Sequence, residues 1–206
     1  FTTNVDGIRQ DWPRIPLPSS GEALQASAAL GREVARLLDS GAPVTGINSG
    51  KLRPELSQIG MLTRVGCGSL KAEEFALTAG WGYRNKSGAT MPGCGITKVR
   101  PSIENELDTR FGKTTYDIYL NKNAYWKNVP QQVWQFNIGG YQVMKKWLSY
   151  REQPLLDRAL TLTEIKELSE IARRLAALVL LQSELDRNYH AVASATYPYR
   201  NAHSND

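Results

Sequence analysis

The sequence predicts an α+β protein: a small twisted, mainly antiparallel sheet flanked by helices, with a long C-terminal helix. Three observations carry that expectation. Apolar residues recur at helical spacing from Leu24 to Leu38 and again from Ile165 to Leu185. Short apolar runs at Ile59–Val65 and Thr115–Leu120 read instead as strands, bounded by glycine-rich turns. The 206 residues, 41% hydrophobic and 22% charged, are enough to bury a core and too apolar for a disordered chain.

Taken in order, residues 1–18 form an extended strap. Pro13, Pro16 and Pro18 forbid helix there, and Trp12, Ile15 and Leu17 are expected to pin the strap to the body. Ser19 opens a helix with Glu22 at the capping-box position; Leu24, Ala28, Val34, Leu37 and Leu38 make its apolar stripe, and Gly41 with Pro43 ends it. Ile59–Val65 is a strand leading into the Gly66-Cys67-Gly68 turn. Residues 80–95 read as a long glycine-rich basic loop, part of a span from Leu77 to Ser102 without one acidic residue. Thr115–Leu120 is a strand with Tyr116, Ile118 and Leu120 on one face. Asn121–Asn128 follows as a polar turn, and Val133–Ile138 as a second strand.

Gly139-Gly140 then turns the chain into a helix from Tyr141 to about Arg151. Val143, Trp147 and either Leu148 or Tyr150 face inward on it, leaving Lys145, Lys146 and Arg151 more exposed. Thr161, with Glu164 three residues on, starts the last helix, and the tail from Tyr197 frays. The expected organisation is a strap at 1–18, an α+β body at 19–160, and a helix with its tail at 161–206, packed on that body.

Charge is unevenly placed. The whole chain carries +5, yet residues 110–151 hold seven cations against the single carboxylate Asp117, interleaved with ten aromatic residues. A basic patch on a nearly balanced body is the electrostatic footprint of a nucleic-acid binder, although lysines also keep an aromatic surface in solution. Trp134 and Trp147 read as core rather than as base-stacking residues.

Little here points to catalysis. Cys67 and Cys94 make no disulfide framework, and His190 and His203 lie far from them, so two reduced thiols are expected rather than zinc. Asp157 with Glu164-Ile165-Lys166 echoes the Asp…Glu-x-Lys set of metal-dependent nucleases. A nuclease core would place it on strands, whereas here the acid complements a helix N-terminus. There is no phosphate-binding P-loop, no GxGxxG, and no methyltransferase Asn-Pro-Pro-Tyr loop. No signal peptide or membrane span is seen, so a soluble, cytoplasmic protein is expected. The start at Phe1 reads as a piece of a longer polypeptide or a processed chain.

Among the segments Asp117-Ile118-Tyr119-Leu120-Asn121, Ala124-Tyr125-Trp126-Lys127-Asn128-Val129-Pro130 and Ile138-Gly139-Gly140-Tyr141-Gln142-Val143-Met144-Lys145-Lys146-Trp147-Leu148-Ser149-Tyr150-Arg151-Glu152, the last is fairly specific and the others support it. With them the chain resembles the C-terminal specificity region of type ISP restriction–modification enzymes and related DNA adenine methyltransferases. Trp12–Pro18, Ala79–Gly82 and Thr90–Gly93 extend the likeness over nearly the whole chain. The resemblance implies a target recognition domain that grips duplex DNA. A methyltransferase domain of the same parent chain would use S-adenosylmethionine to methylate adenine N6, and some members add nuclease and translocase domains.

On that footing Lys145, Lys146 and Arg151 are candidates to position phosphates. Arg84, Lys86, Lys122 and Lys127 would lie on loops near DNA, and Gly139, Gly140 and Tyr141 would offer backbone amides at a helix start. The alternative is a non-catalytic scaffold that docks the other domains.

Overall fold

Pairing of apolar faces, more than turn chemistry, decides where the strands fall. The computed structural model describes residues 15–66, 68–102 and 107–198. The chain forms two compact units, one from residues 1–38 and 181–206 and the other from residues 39–180.

The first described element is helix α1 (Gly21–Leu38). Its cap is Ser20 rather than Ser19, since the Ser20 hydroxyl accepts from the Ala23 amide at 3.2 Å. The expected apolar stripe is only partly used: Leu37 is buried, while Leu24 and Leu38 are exposed. Ile15 and Leu17 are exposed too, so they do not pin the strap as expected. Residues 17 and 18 pair by backbone with the C-terminal segment: the Tyr197 amide donates to the Leu17 carbonyl at 2.8 Å, and Pro18 bridges to Thr196. Trp12 and Pro13 lie outside the described residues. In the same unit Ser27 and Asn188 exchange side-chain hydrogen bonds.

The larger unit opens with the single turn α2 (Pro54–Ser57) and strand β1 (Met61–Arg64). The expected loop at 80–95 is an antiparallel ribbon, β2 (Gly82–Arg84) paired with β3 (Thr90–Pro92). Strand β4 (Thr97–Pro101), β5 (Thr114–Tyr119) and β6 (Ala124–Pro130) join β1 in a four-stranded antiparallel sheet of order β1-β6-β5-β4. The single turn α3 (Gln131–Trp134) follows, then a short hairpin of β7 (Asn137–Ile138) and β8 (Tyr141–Gln142). Helix α4 (Val143–Ser149), the turn α5 (Gln153–Leu156) and helix α6 (Leu162–Ser194) complete the chain. The α+β expectation with its antiparallel sheet and long last helix holds.

Two strand expectations need correction. Residues 124–128 are strand, not turn: Ala124 and Trp126 are fully buried and pair along β5 and β1. The register slips between Tyr116 and Ile118, so Lys127 and Asn128 both stand opposite Asp117 in a bulge, with Asn128 at φ 58°. The polar residues that suggested a turn serve that bulge. Arg100 grips the Asp117 carboxylate with two bonds of 2.6 and 2.7 Å and donates to the Asn128 side chain at 3.0 Å. Val133–Ile138 is not a single strand either. Pro130 closes β6 because it has no amide to continue the ladder, and α3 then buries Val133 and Trp134.

The core of this unit is aromatic. Trp81, Trp126 and Phe111 are almost wholly buried, and Trp81 meets Trp134 edge-on at 5.5 Å between ring centres. The indole of Trp81 donates to the Tyr119 carbonyl at 2.8 Å, and that of Trp126 to the Ile165 carbonyl on α6. The start of α6 follows the sequence: the Thr161 hydroxyl accepts from the Glu164 amide, and the Glu164 carboxylate accepts from the Thr161 amide. No helix among the described residues is long and apolar enough to cross a membrane.

Candidate nucleic-acid interface

Helix α4 carries Lys145 and Lys146, and four more of the ten candidates, Gly139, Gly140, Tyr141 and Arg151, flank it. It is entered through a two-residue turn whose closing pair is Ile138 and Tyr141. Gly139 and Gly140 have φ of 59° and 82°, the pair of positive values that a type I′ turn requires and that glycine adopts without strain. Met144, Trp147, Leu148 and Ser149 are buried, so the helix is fixed by its inward face. Lys145 and Lys146 are half-buried rather than free on the surface, and Tyr150, a candidate for the inward face, is exposed instead.

Lys146 is held between two tyrosines. Its ammonium lies 4.4 Å from the Tyr141 ring centre and 4.6 Å from that of Tyr150, and it donates to the Tyr150 hydroxyl at 2.9 Å. That hydrogen bond raises its pKa above the ordinary lysine value. Arg151, expected to be exposed, is half-buried. Its guanidinium lies 4.1 Å over the Trp147 ring, with Glu164 at 4.0 Å and Glu167 at 3.7 Å. Its charge is therefore shared with two carboxylates of α6.

The β2–β3 ribbon packs against α4, and β2 also packs against α5. Its base is built by close approach: a Cβ on Gly82 would collide with the Ser149 carbonyl, and one on Gly95 with the Trp81 ring. The buried carboxylate of Glu152 accepts from the amide of Trp81. Burial pushes the pKa of Glu152 up, while hydrogen bonds from the Trp81 and Gly80 amides pull the other way. Glu152 thus ties the ribbon base to the end of α4; nothing in the sequence alone marks it for that duty.

Beyond this base the ribbon is exposed. Arg84 donates to the Gly88 carbonyl at 3.1 Å, and Lys86 stands at the tip. Lys122 is exposed in the connection between β5 and β6, and Lys127 is half-buried on β6 beside Met61. The structure therefore places Gly139, Gly140, Tyr141, Lys145 and Lys146 on one continuous segment, with the ribbon of Arg84 and Lys86 packed on its helix. Lys122 and Lys127 belong to the sheet.

Sequence reasoning missed a second arrangement on the sheet. Lys98 lies 5.1 Å from the ring centre of Tyr119, which stacks on Tyr125 at 5.1 Å. A hydrogen bond to Tyr119 raises the pKa of Lys98. The Tyr150 partner of Lys146 was findable, because residues four apart share a helix face. The Lys98 partner depends on strand register and was not. Among the described residues no three His, Cys, Asp or Glu side chains converge as a metal site would need. A cleft of about 400 Å³ beside Met61, Ile165 and Arg173 is lined by none of the ten candidates.

The site thus combines a mounted ribbon, a tight hairpin and cations, Lys145 and Lys146 among them, that have no carboxylate within ion-pair distance among the described residues. The chain belongs to the type ISP C-terminal specificity domain family, whose model matches residues 4–176. It is thus a target-recognition element of restriction–modification enzymes, a domain that is itself non-catalytic. No curated protein and no solved structure matches the chain.

Proposed function

We propose that this chain binds duplex DNA and sets the sequence specificity of a restriction–modification DNA adenine methyltransferase. One observation supports this most directly. Asp117, the only carboxylate among the seven cations of residues 110–151, is buried and consumed by Arg100. Among the described residues no carboxylate lies within ion-pair distance of Arg84, Lys86, Lys122, Lys127, Lys145 or Lys146. Positive charge thus remains for phosphate oxygens.

The catalytic step would belong to a methyltransferase domain of the same parent chain, in the cytoplasm, with S-adenosylmethionine supplying the methyl group. The residues described here would hold and register the duplex.

Fluorescence anisotropy of a labelled duplex, titrated with the 206-residue chain across a salt series, tests the reading. If all six cations meet phosphates, the log–log slope of affinity on salt is about −5. Lys145→Glu with Lys146→Glu weakens binding to every sequence alike and flattens that slope. Absence of duplex binding at low salt overturns the proposal for this chain.

A further inference from the structure

Tyr83 and Met91 have no explanation in the fold. They are direct cross-strand partners on the β2–β3 ribbon, and they are 53% and 39% exposed. In this unit Trp81, Trp126 and Met144 fill the core, and the exposed Tyr141 and Tyr150 hold the Lys146 ammonium. An aromatic and a thioether side by side on one ribbon face form a small apolar patch in water.

The ribbon carrying this pair is rigid at both ends. At the tip the Asn85 side chain accepts from the Ser87 amide at 3.0 Å, the Ser87 hydroxyl at 2.8 Å and the Ala89 amide at 2.9 Å. The Asn85 amide donates to the Ala89 carbonyl at 2.9 Å. At the base the Gly93 amide donates to the Trp81 carbonyl at 2.6 Å and the Gly95 amide to the Gly80 carbonyl at 3.0 Å. A surface ordered in advance loses little conformational entropy when it binds. The ribbon itself carries charge of one sign, Arg84 and Lys86, in a span from Leu77 to Ser102 whose sequence has no acid.

We propose that the β2–β3 ribbon enters the major groove of duplex DNA and that Tyr83 and Met91 are specificity-determining residues. The inference rests on the DNA-binding reading above and adds the element that reads the bases. The major groove of B-DNA admits a two-stranded ribbon, and thymine presents a methyl group there that apolar side chains distinguish. Arg84 and Lys86, next to the pair and at the tip, meet the flanking phosphates. The ribbon therefore divides its work: cations hold the duplex, and the apolar pair discriminates among sequences.

The test is selection from a random duplex library by the 206-residue chain, followed by sequencing of bound DNA, for the wild type and for Tyr83→Ala with Met91→Ala. The expected result is a motif enriched by the wild type. In the variant, preference at one or two base pairs of that motif falls by about tenfold or more, while overall affinity for random duplex stays within about threefold of wild type. Thermal melting of the variant near the wild-type midpoint shows that the loss is not unfolding. Tyr83→Phe, which keeps the ring, retains the preference.

A variant that enriches the wild-type motif unchanged overturns the inference and leaves the DNA-binding proposal standing. Duplex binding without any enriched motif does the same. No duplex binding by the wild type overturns both. An RNA duplex of the selected sequence has a deep, narrow major groove, so it binds weakly; equal affinity for RNA overturns ribbon entry.

Discussion

The four-stranded sheet and the two-stranded ribbon use similar residues to opposite ends. In the sheet, Ile118, Trp126 and Val129 are fully buried and the charged bulge closes on itself through Arg100, Asp117 and Asn128. In the ribbon, Tyr83 and Met91 face water and the cations beside them have no acid partner among the described residues. Residue type does not separate the two regions. What separates them is whether another element covers the face: the ribbon packs on α4 and α5, and Tyr83 and Met91 stay exposed.

The largest effect is expected at the junction of the two regions. Trp81→Ala empties a site that is wholly buried and shared by the ribbon base and the sheet. It should cost about 3–5 kcal/mol, read as a large fall in the urea midpoint. A midpoint unmoved by this change would show that the ribbon base is no part of the core. Asp117→Asn comes next, since it removes the charge from the bidentate pair with Arg100. Arg100 is about a third exposed, so the expected loss is about 2 kcal/mol, below that for a pair sealed from water.

A smaller effect, visible in pH, lies at the start of α6. The bidentate Arg158 guanidinium, helped by the Thr161 amide and hydroxyl, holds the Glu164 pKa down to about 2, from an ordinary 4.5. A depressed carboxylate stabilises the fold above its unfolded pKa, and that contribution fades as pH drops from about 4.5 toward about 2. Glu164→Gln should cost about 1 kcal/mol at neutral pH through the weakened cap. Its stability should also vary less with pH across that window, as followed by thermal melting. An equal acid response in both proteins would assign the window to other groups. The smallest effect belongs to the ribbon face: Tyr83→Ala and Met91→Ala should each leave stability within about 0.5 kcal/mol, because neither supports the core.

What the sequence shows of this molecule depends on how local the cause is. The Thr161–Glu164 box, the β1 strand and the inward Trp147 and Leu148 follow from neighbours a few residues apart, and they stand where local pattern puts them. Asn121–Asn128 misled because its two lysines and three asparagines look like a turn throughout, whereas only 121–123 turns and strand begins at Ala124. Its polar side chains are satisfied from elsewhere: Arg100 donates to Asn128, and the Asn121 amide donates to the Glu74 and Ala76 carbonyls. Leu24 and Leu38 misled in the other direction, since helical period marks a face without saying what covers it. At the candidate interface, Lys145 and Lys146 could be read from charge alone. The neutralisation of Arg151 by Glu164 and Glu167, the clamp by Glu152 and the exposure of Tyr83 and Met91 required the fold.

The way the ribbon is fastened has a practical side. The groups that build its socket, Trp81, Gly82, Gly93, Gly95 and Glu152, lie outside the segment 83–91. Eight of those nine residues are exposed, Thr90 being half-buried, and the Asn85 bonds hold the tip from within the segment. An engineer could therefore treat 83–91 as an interchangeable cassette, diversify it in a library, and leave the stability of its socket unspent.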